Sequence, residues 1–371
     1  MSKKNDDRKN IVVVGGGVGG SRVAHLLSTT LDAAKFNLIL IDPRVALILL
    51  PATARAVVTN PDNLEDRVLV PLNDVFFKNR GTFIQAEVMS IEKAEDGGCL
   101  VLSNEERVQY EILVLSPGSR WNAPFAFPAT GVRESFNASR AAIEAAQDIV
   151  LVGAGAVGIE LAGEIADIYP NKSITIIQAA GMVLNKTYPD RFRRAVESRL
   201  IARKINIVYG EYIENTQIEK GALKTKSGKY IKADLVLSTV GPKPNTEFIG
   251  KSLGGGTLTD NGFVRVQPTL QLRKHPRVYV VGDAVDYPEQ KQYMKAISQA
   301  NIVAANITAS IQNKPLSLYK GSTEIIVITV GKNGGVAYFN FLWGIVLGDW
   351  FCRLIKSKSL MIDRMKSLVG L

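Results

Sequence analysis

The residues best suited to chemistry in this chain are glycines. Two clusters, Gly15-Gly16-Gly17-Val18-Gly19-Gly20 and Gly153-Ala154-Gly155-Ala156-Val157-Gly158, each follow a short apolar run (residues 11–14 and 149–152) and open onto an alanine-rich, helix-favouring stretch. Between a buried parallel strand and a helix, this pattern cradles a dinucleotide. The first glycine permits a tight turn, the middle one lets backbone amides approach a pyrophosphate, and the last lets helix pack on strand. The helix N-terminus then faces the negative charge. One such match is weak; two in the required context predict two bound dinucleotides. Asp42 ends a strand expected at residues 37–41, after roughly the 20-residue gap from Gly20 at which a carboxylate accepts hydrogen bonds from an adenosine ribose. A strand-end aspartate starting a turn before Pro43 is the plainer alternative. In the second unit the equivalent place, twenty positions after Gly158, holds the amide Gln178. An amide does not repel a 2′-phosphate as a carboxylate does, and no arginine follows immediately to attract one, so the choice of nucleotide stays open.

These loops need two β-α-β units to hold them. The first comprises the strand at 11–14, a helix at about 19–27 and the strand at 37–41. A polar, proline-marked stretch at 60–74 follows, and β-like runs at 82–91, 99–102 and 111–115 form a meander. Ser116-Pro117-Gly118 is a turn, and residues 121–128 read as a crossover out of the domain. The second unit spans 149–177, with its helix ending near Tyr169-Pro170. A helix at 191–203, a strand at 205–208 and β-like segments at 213–224 and 235–239 complete it. A strand at 278–281 ending on Gly282-Asp283 then returns to features of the first domain, so the second is expected to be inserted in it. Residues 291–312 are helix-compatible, and 321–371 form a tail of strands with one amphipathic segment. The expected division is a first domain at 1–122 and 255–320, an inserted domain at 123–254, and a C-terminal segment at 321–371.

With 371 residues, 46% hydrophobic and 22% charged, the chain has material for two domains or a little more. Residues 1–10 are polar and include Asp6 and Asp7, unlike a secretory signal or an acid-poor transit peptide, so an intracellular place is expected. Cys99 and Cys352 are the only cysteines and lie far apart, which argues against a disulfide framework and a redox-active dithiol. With His25 and His275 as the only histidines, no metal site is expected. The net charge of +10 suits nucleic acid, acidic lipid or anionic cofactors alike, but the basic residues are dispersed, which favours an ordinary basic surface.

The order of pieces resembles the two-dinucleotide flavoprotein reductases of the pyridine nucleotide-disulfide oxidoreductase superfamily. More narrowly it resembles the ferroptosis-suppressor and apoptosis-inducing-factor-like quinone reductases. Four stretches carry the resemblance: Val13-Val14 with the first glycine cluster, residues 152–164 around Glu160-Leu161-Ala162-Gly163-Glu164, Val278-Tyr279-Val280-Val281-Gly282-Asp283, and residues 299–307. It implies an α/β, glutathione-reductase-like fold of two Rossmann-like domains, the NAD(P) domain inserted in the FAD domain, with a small C-terminal α+β segment. It places FAD on Val14, Gly15, Gly16, Gly17, Val18, Gly19, Gly20 and Asp42, with Arg55 near its phosphates or flavin. Val88 would meet the adenine through its backbone, and Gly282 and Asp283 the ribityl chain. The plainer alternatives are a solvated helix residue for Arg55 and a turn or capping residue for Asp283. Ser116 and Gly118 stand where the family reads Ala-Thr-Gly; the turning glycine is kept and the hydroxyl has moved.

By the same resemblance, NADH or NADPH lies on Gly153, Gly155, Gly158 and Gln178, with Glu160 directed toward the nicotinamide half. A first-turn acid favoured by the helix dipole is the equal alternative. Gln178-Ala179 replaces the family's frequent His-Ser, leaving both nucleotides open. Lys295 and Ala296 fall where the family's helix aims its N-terminus at the flavin pyrimidine ring, so that dipole and amides stabilise the reduced flavin and Lys295 adds charge. A surface lysine is the alternative. Glu160 and Lys295 are thus the catalytic candidates.

The implied reaction passes hydride from NAD(P)H to flavin and two electrons onward to a ubiquinone-like quinone or other small acceptor, without a side-chain nucleophile. A type II NADH dehydrogenase of a mitochondrial membrane is one alternative. A DNA-binding cell-death effector with a structural or redox-sensing flavin is another, although no basic patch interleaved with aromatics lies outside the tail. In the tail, aromatic and aliphatic residues from Phe339 to Ile355 are followed by Lys356 and Lys358, which suits peripheral membrane contact through residues 336–358. Gly344, Gly348, Asp349 and Arg353 interrupt the run too often for a span. Packing on the flavin domain or in a homodimer is the equal alternative. No glycine follows Met1, so N-myristoylation is not expected. The place implied is the cytoplasm or the periphery of a lipid droplet, plasma membrane or mitochondrial outer membrane.

Overall fold

The computed structural model describes residues 7–94 and 97–371. The readings made on Met1-Ser2 and Asp6 lie outside the described residues. Strand β1 (Lys9–Val14) lies between two parallel neighbours, and its residues 11–13 are wholly inaccessible. A strand covered on both faces needs such an unbroken apolar run. It leads through the first glycine loop into helix α1 (Val18–Thr30) and strand β2 (Phe36–Asp42), and helix α2 (Leu50–Ala56) follows.

The stretch read as one β-run at 82–91 is two strands in two sheets. Strand β3 (Thr82–Gln85) pairs with β2, whereas β4 (Val88–Ala94) turns away into an antiparallel sheet with β5 (Gly97–Leu102) and β6 (Arg107–Tyr110). Exposed residues recur along β4, so it suits a sheet with one wet face and not the doubly covered parallel sheet. Strand β7 (Ile112–Leu115), buried throughout, returns to the open side of β1.

After helix α3 (Val132–Ala145), the second unit runs through β8 (Asp148–Val152), α4 (Ala156–Ile168), β9 (Ser173–Gln178), α5 (Asp190–Ala202), β10 (Asn206–Tyr209) and β11 (Leu235–Ser238). Its parallel sheet has the order β10-β9-β8-β11. Of the stretch 213–224, only Ala222–Lys224 is strand, because Glu214-Asn215-Thr216-Gln217 offers no apolar alternation to bury. The chain then re-enters the first sheet with β12 (Gln271–Leu272) and β13 (His275–Val280), giving the order β12-β13-β7-β1-β2-β3. The second Rossmann-like unit is therefore inserted in the first. The two passages between them are tied where Ser119–Arg120 pairs with Lys243–Pro244.

Helix α6 (Tyr293–Ile311) packs on α1. The C-terminal segment forms an antiparallel sheet of β14 (Ile325–Thr329), β15 (Gly335–Phe339) and β16 (Ile345–Leu347), then α7 (Asp349–Cys352), a π-helical turn (Arg353–Ser357) and α8 (Ile362–Ser367). Tyr338 of this segment packs against Tyr188 and Phe192 of the inserted unit, with ring centroids 6.1 and 5.6 Å away. At its far end Ile362, Met365 and Val369 join the main core. Among the described residues, no helix is long and apolar enough to cross a membrane.

Candidate functional site

Both glycine loops open onto helices whose first amide groups have no side-chain cap: Gly17 precedes α1 and Gly155 precedes α4. A Cβ built on either glycine would meet nothing within 4 Å, so open space lies directly before each helix N-terminus, where a pyrophosphate fits. Gly15 sits at φ +99°, a conformation that L side chains avoid. A Cβ on Gly20 would stand 1.9 Å from the Gly15 carbonyl oxygen, so the last glycine is what lets α1 close on the loop. Val14 ends β1 and Val18 and Gly19 begin α1, which places the whole fingerprint in one turn.

Asp42 is buried at the end of β2 and accepts from the Gly16 amide at 2.7 Å and the Arg44 amide at 2.8 Å. A carboxylate oxygen has two lone pairs, so both atoms can still accept from ribose hydroxyls. Val88 opens β4 beside this strand end, where the Ala86 amide donates to the Asp42 carbonyl. Ser116 is buried next to Gly15, and Gly118 turns the chain at φ +65° toward Ser119. The Ser119 hydroxyl donates to Asp283 at 2.8 Å. Burial pushes the Asp283 carboxyl above its ordinary range, against the pull of Ser119 and of the Lys291 ammonium. The preceding Gly282 amide donates to Gln299 of α6 at 2.7 Å, so the loop and α6 are bound together. Gly-rich helix ends, the strand-end Asp42 and the half-buried Asp283 carboxyl make a donor and acceptor set that fits FAD.

The second loop borders a cavity of about 440 Å³. Gly153, Gly155, Gln178, Glu211, Tyr212, Tyr188 and Gln292, the residue before α6, are among its lining. Gly158 allows the same close helix approach as Gly20, its Cβ position being 2.1 Å from the Gly153 carbonyl oxygen. The duplication seen in sequence is thus a duplication of geometry.

Helices α2, α4 and α6 carry buried charges. Glu160, past the first turn of α4 and 7% exposed, accepts from the Lys356 ammonium at 2.6 Å and the Thr329 amide at 3.0 Å. The alternative of a first-turn acid stabilised by the helix dipole is therefore corrected: its partners are an ammonium and an amide of the C-terminal segment. Lys295, in the first turn of α6 with Ala296, is 3% exposed and paired with Glu324, which corrects the surface-lysine alternative. Glu324 also accepts from Tyr188 at 2.9 Å and from Gln292 at 2.6 Å. Arg55 is 4% exposed, which corrects the solvated-helix alternative. Its guanidinium donates twice to Glu164, at 2.7 and 2.8 Å, and to the Ser357 carbonyl at 2.7 Å. Burial raises the Glu164 carboxyl while Arg55 opposes that shift.

Sequence reasoning missed Glu164, Glu324, Tyr188, Gln292 and Ser119 as members of this interior, and read Lys356 as a basic flank. One signal was available: Glu160 and Glu164 stand four apart, hence on one face, of a helix that is apolar apart from them and Asp167, and two buried acids require cations from elsewhere. Both cysteines are buried and unpaired, and burial pushes the Cys352 thiol up to about 12. The turn after β15 exposes Phe341, Leu342 and Trp343, the last of them 98% exposed, with Trp350 and Leu354 close behind in sequence.

The family model described as pyridine nucleotide-disulphide oxidoreductase matches residues 9–300. The chain is 40% identical over 319 residues to the FAD-dependent oxidoreductase FVFD30 of Flammulina velutipes, covering 84% of this chain and 98% of that protein. It is 28% identical over 371 residues to ferroptosis suppressor protein 1 of Homo sapiens, covering 95% and 94%. The solved sulfide:quinone oxidoreductase of Aquifex aeolicus superposes with a TM-score of 0.77 at 18% identity, over 97% of this chain and 91% of that one. At that identity the likeness is one of fold.

Proposed function

Because this chain belongs to the pyridine nucleotide-disulphide oxidoreductase family and is an FAD-dependent, NAD(P)H-linked oxidoreductase, we propose that its electrons end on a quinone-like acceptor that approaches along the C-terminal segment. When bound, FAD supplies the chemistry of taking hydride from a reduced nicotinamide and releasing electrons to a second acceptor. The chain's own residues supply position and charge. Uncapped N-termini of α1 and α4 balance the two pyrophosphates, and Asp42 holds a ribose. The cluster of Lys295, Glu324, Tyr188 and Gln292 joins α6 to the inserted unit and the C-terminal segment, which keeps the two nucleotide sites at one separation.

The observation that carries the acceptor assignment is the build of residues 321–371. One segment sends Glu324 and Lys356 inward to the buried charges and turns Phe341, Trp343 and Trp350 outward. Exposed aromatics of this size, flanked by exposed Arg353 and Lys358, suit a lipid interface from which an apolar quinone is drawn. The thiols argue the same way, since a buried Cys352 held in the protonated form is a poor partner for disulfide or persulfide exchange.

The test is anaerobic. Purified holoenzyme is bleached with NADH, then offered a short-chain ubiquinone, a disulfide or a persulfide in separate mixes, with flavin absorbance recorded. Rapid recovery with the quinone alone is expected. A Trp343→Ser/Trp350→Ser variant is expected to lose recovery several-fold when the quinone is presented in vesicles, and to bleach with NADH at the parent rate. No recovery with any quinone would overturn the assignment.

A further inference from the structure

The two Rossmann-like units of this chain are an internal comparison for how each treats an adenosine ribose. In the first, the Gly16 amide donates to a carboxylate oxygen of Asp42 at 2.7 Å. In the second, the matching Ala154 amide donates to the side-chain oxygen of Gln178 at 3.0 Å. The Gln178 nitrogen donates to the Met182 carbonyl at 3.0 Å, so both ends of the amide are held by backbone and its orientation is set. Gln178 thus reproduces the shape of the acid without its charge. It neither repels a 2′-phosphate nor offers a cation to receive one.

The decision then falls to the other charges around the cavity. Among its described lining residues only Glu211 and Lys291 are ionisable as acid or base near neutral pH. Lys291 comes from the segment before α6, where its ammonium donates to the Val285 carbonyl. Glu211 is at the adenosine end: it lies two residues beyond Tyr209, which pairs in register with Gln178. Its carboxylate accepts from the Ser227 hydroxyl at 2.9 and 2.8 Å, and the Ser227 and Thr225 hydroxyls hold it below the usual range. Lys229, at 3.7 Å from Glu211, is turned to that carboxylate. Ala179, Ala180 and Gly181 follow Gln178 and bring no guanidinium.

Resting on the NAD(P)H-linked reading above, we propose that the inserted unit selects NADH over NADPH, with a neutral Gln178 at the ribose and the Glu211 carboxylate disfavouring a 2′-phosphate. A phosphate of nearly two negative charges would enter beside the Glu211 carboxylate, where the neighbouring cations are already engaged, Lys229 with Glu211 and Lys226 with Glu214. The discrimination expected is roughly tenfold or more in kcat/KM, expressed mainly in KM because both nucleotides carry the same reacting ring.

Holoenzyme is titrated with NAD+ and NADP+ by calorimetry, and anaerobic flavin bleaching is timed over a range of NADH and NADPH concentrations. Tighter NAD+ binding, a lower NADH half-saturation and similar limiting bleaching rates are expected. Glu211→Gln and Ala179→Arg are each expected to shift the NADPH to NADH ratio toward NADPH by about tenfold, and together by more. Equal or better use of NADPH by the parent protein, or a Glu211→Gln variant that leaves the ratio unmoved, would overturn the inference while the oxidoreductase reading stands. Binding of neither nucleotide would overturn that reading and this inference with it.

Discussion

Asp283 shows what one side chain costs and supplies. Burial lifts its carboxyl above the ordinary range, so the folded chain binds a proton more readily there than the unfolded one. Its contribution to stability is therefore whole below the unfolded value of about 4 and is lost as pH rises through the folded value. Asp283→Asn is expected to unfold at higher denaturant than the parent apoprotein at pH 7 and to show no such advantage in acid. The same variant loses one carboxyl oxygen as an acceptor for sugar hydroxyls, so FAD is expected to dissociate roughly tenfold more readily, measured by flavin retained on dialysis. The place of Asp283 was legible from a glycine-aspartate pair closing an apolar strand. Its partner Ser119, 164 positions away, was not, because that contact exists only once the crossover is folded against β13.

At the scale of elements, α4 has two duties. Its N-terminus faces the second nucleotide cavity and its buried face receives the C-terminal segment. Gly163 makes the second contact, since a Cβ there would lie 2.6 Å from the Gly331 amide nitrogen and 2.8 Å from the Val330 Cα, both backbone. Gly163→Val is expected to cost about 2 to 3 kcal/mol by overpacking and to make residues 321–371 the first site of proteolysis, read by denaturant titration and limited digestion. The sequence reading of this helix rested on its glycine loop and placed its end near Tyr169-Pro170, next to the observed end at Ile168. It did not foresee the docked segment, because a glycine in mid-helix reads only as a weak helix former until the neighbour it admits is present.

Over the whole molecule, three pieces of chain meet at two buried ion pairs. Arg55 of α2 grips Glu164 of α4 and the carbonyl that ends the π-helical turn; Lys356 of that turn grips Glu160. Removing one member strands the other in the interior, where an unpaired charge costs about 3 to 5 kcal/mol. Arg55→Ala is expected to lose that much stability, while Arg55→Met/Glu164→Met recovers most of it, a contrast that thermal melts of the two proteins can read. The domains are thereby joined through their interior charges as well as through the strand pair at the crossover.

The dinucleotide loops, the strands before them and the positions of Asp42 and Gln178 follow from local chemistry. Each depends on φ angles, close helix approach and a fixed gap within one β-α-β unit, all written in a few dozen consecutive residues. Partnerships such as Glu160 with Lys356, 196 positions apart, depend instead on which segments pack together and exclude water. A charge becomes an interior charge only when the sum of its neighbours removes it from solvent, and that sum is taken over the folded molecule. For this reason Lys295 and Arg55, for which the sequence left a surface position open, are buried links in the tertiary structure.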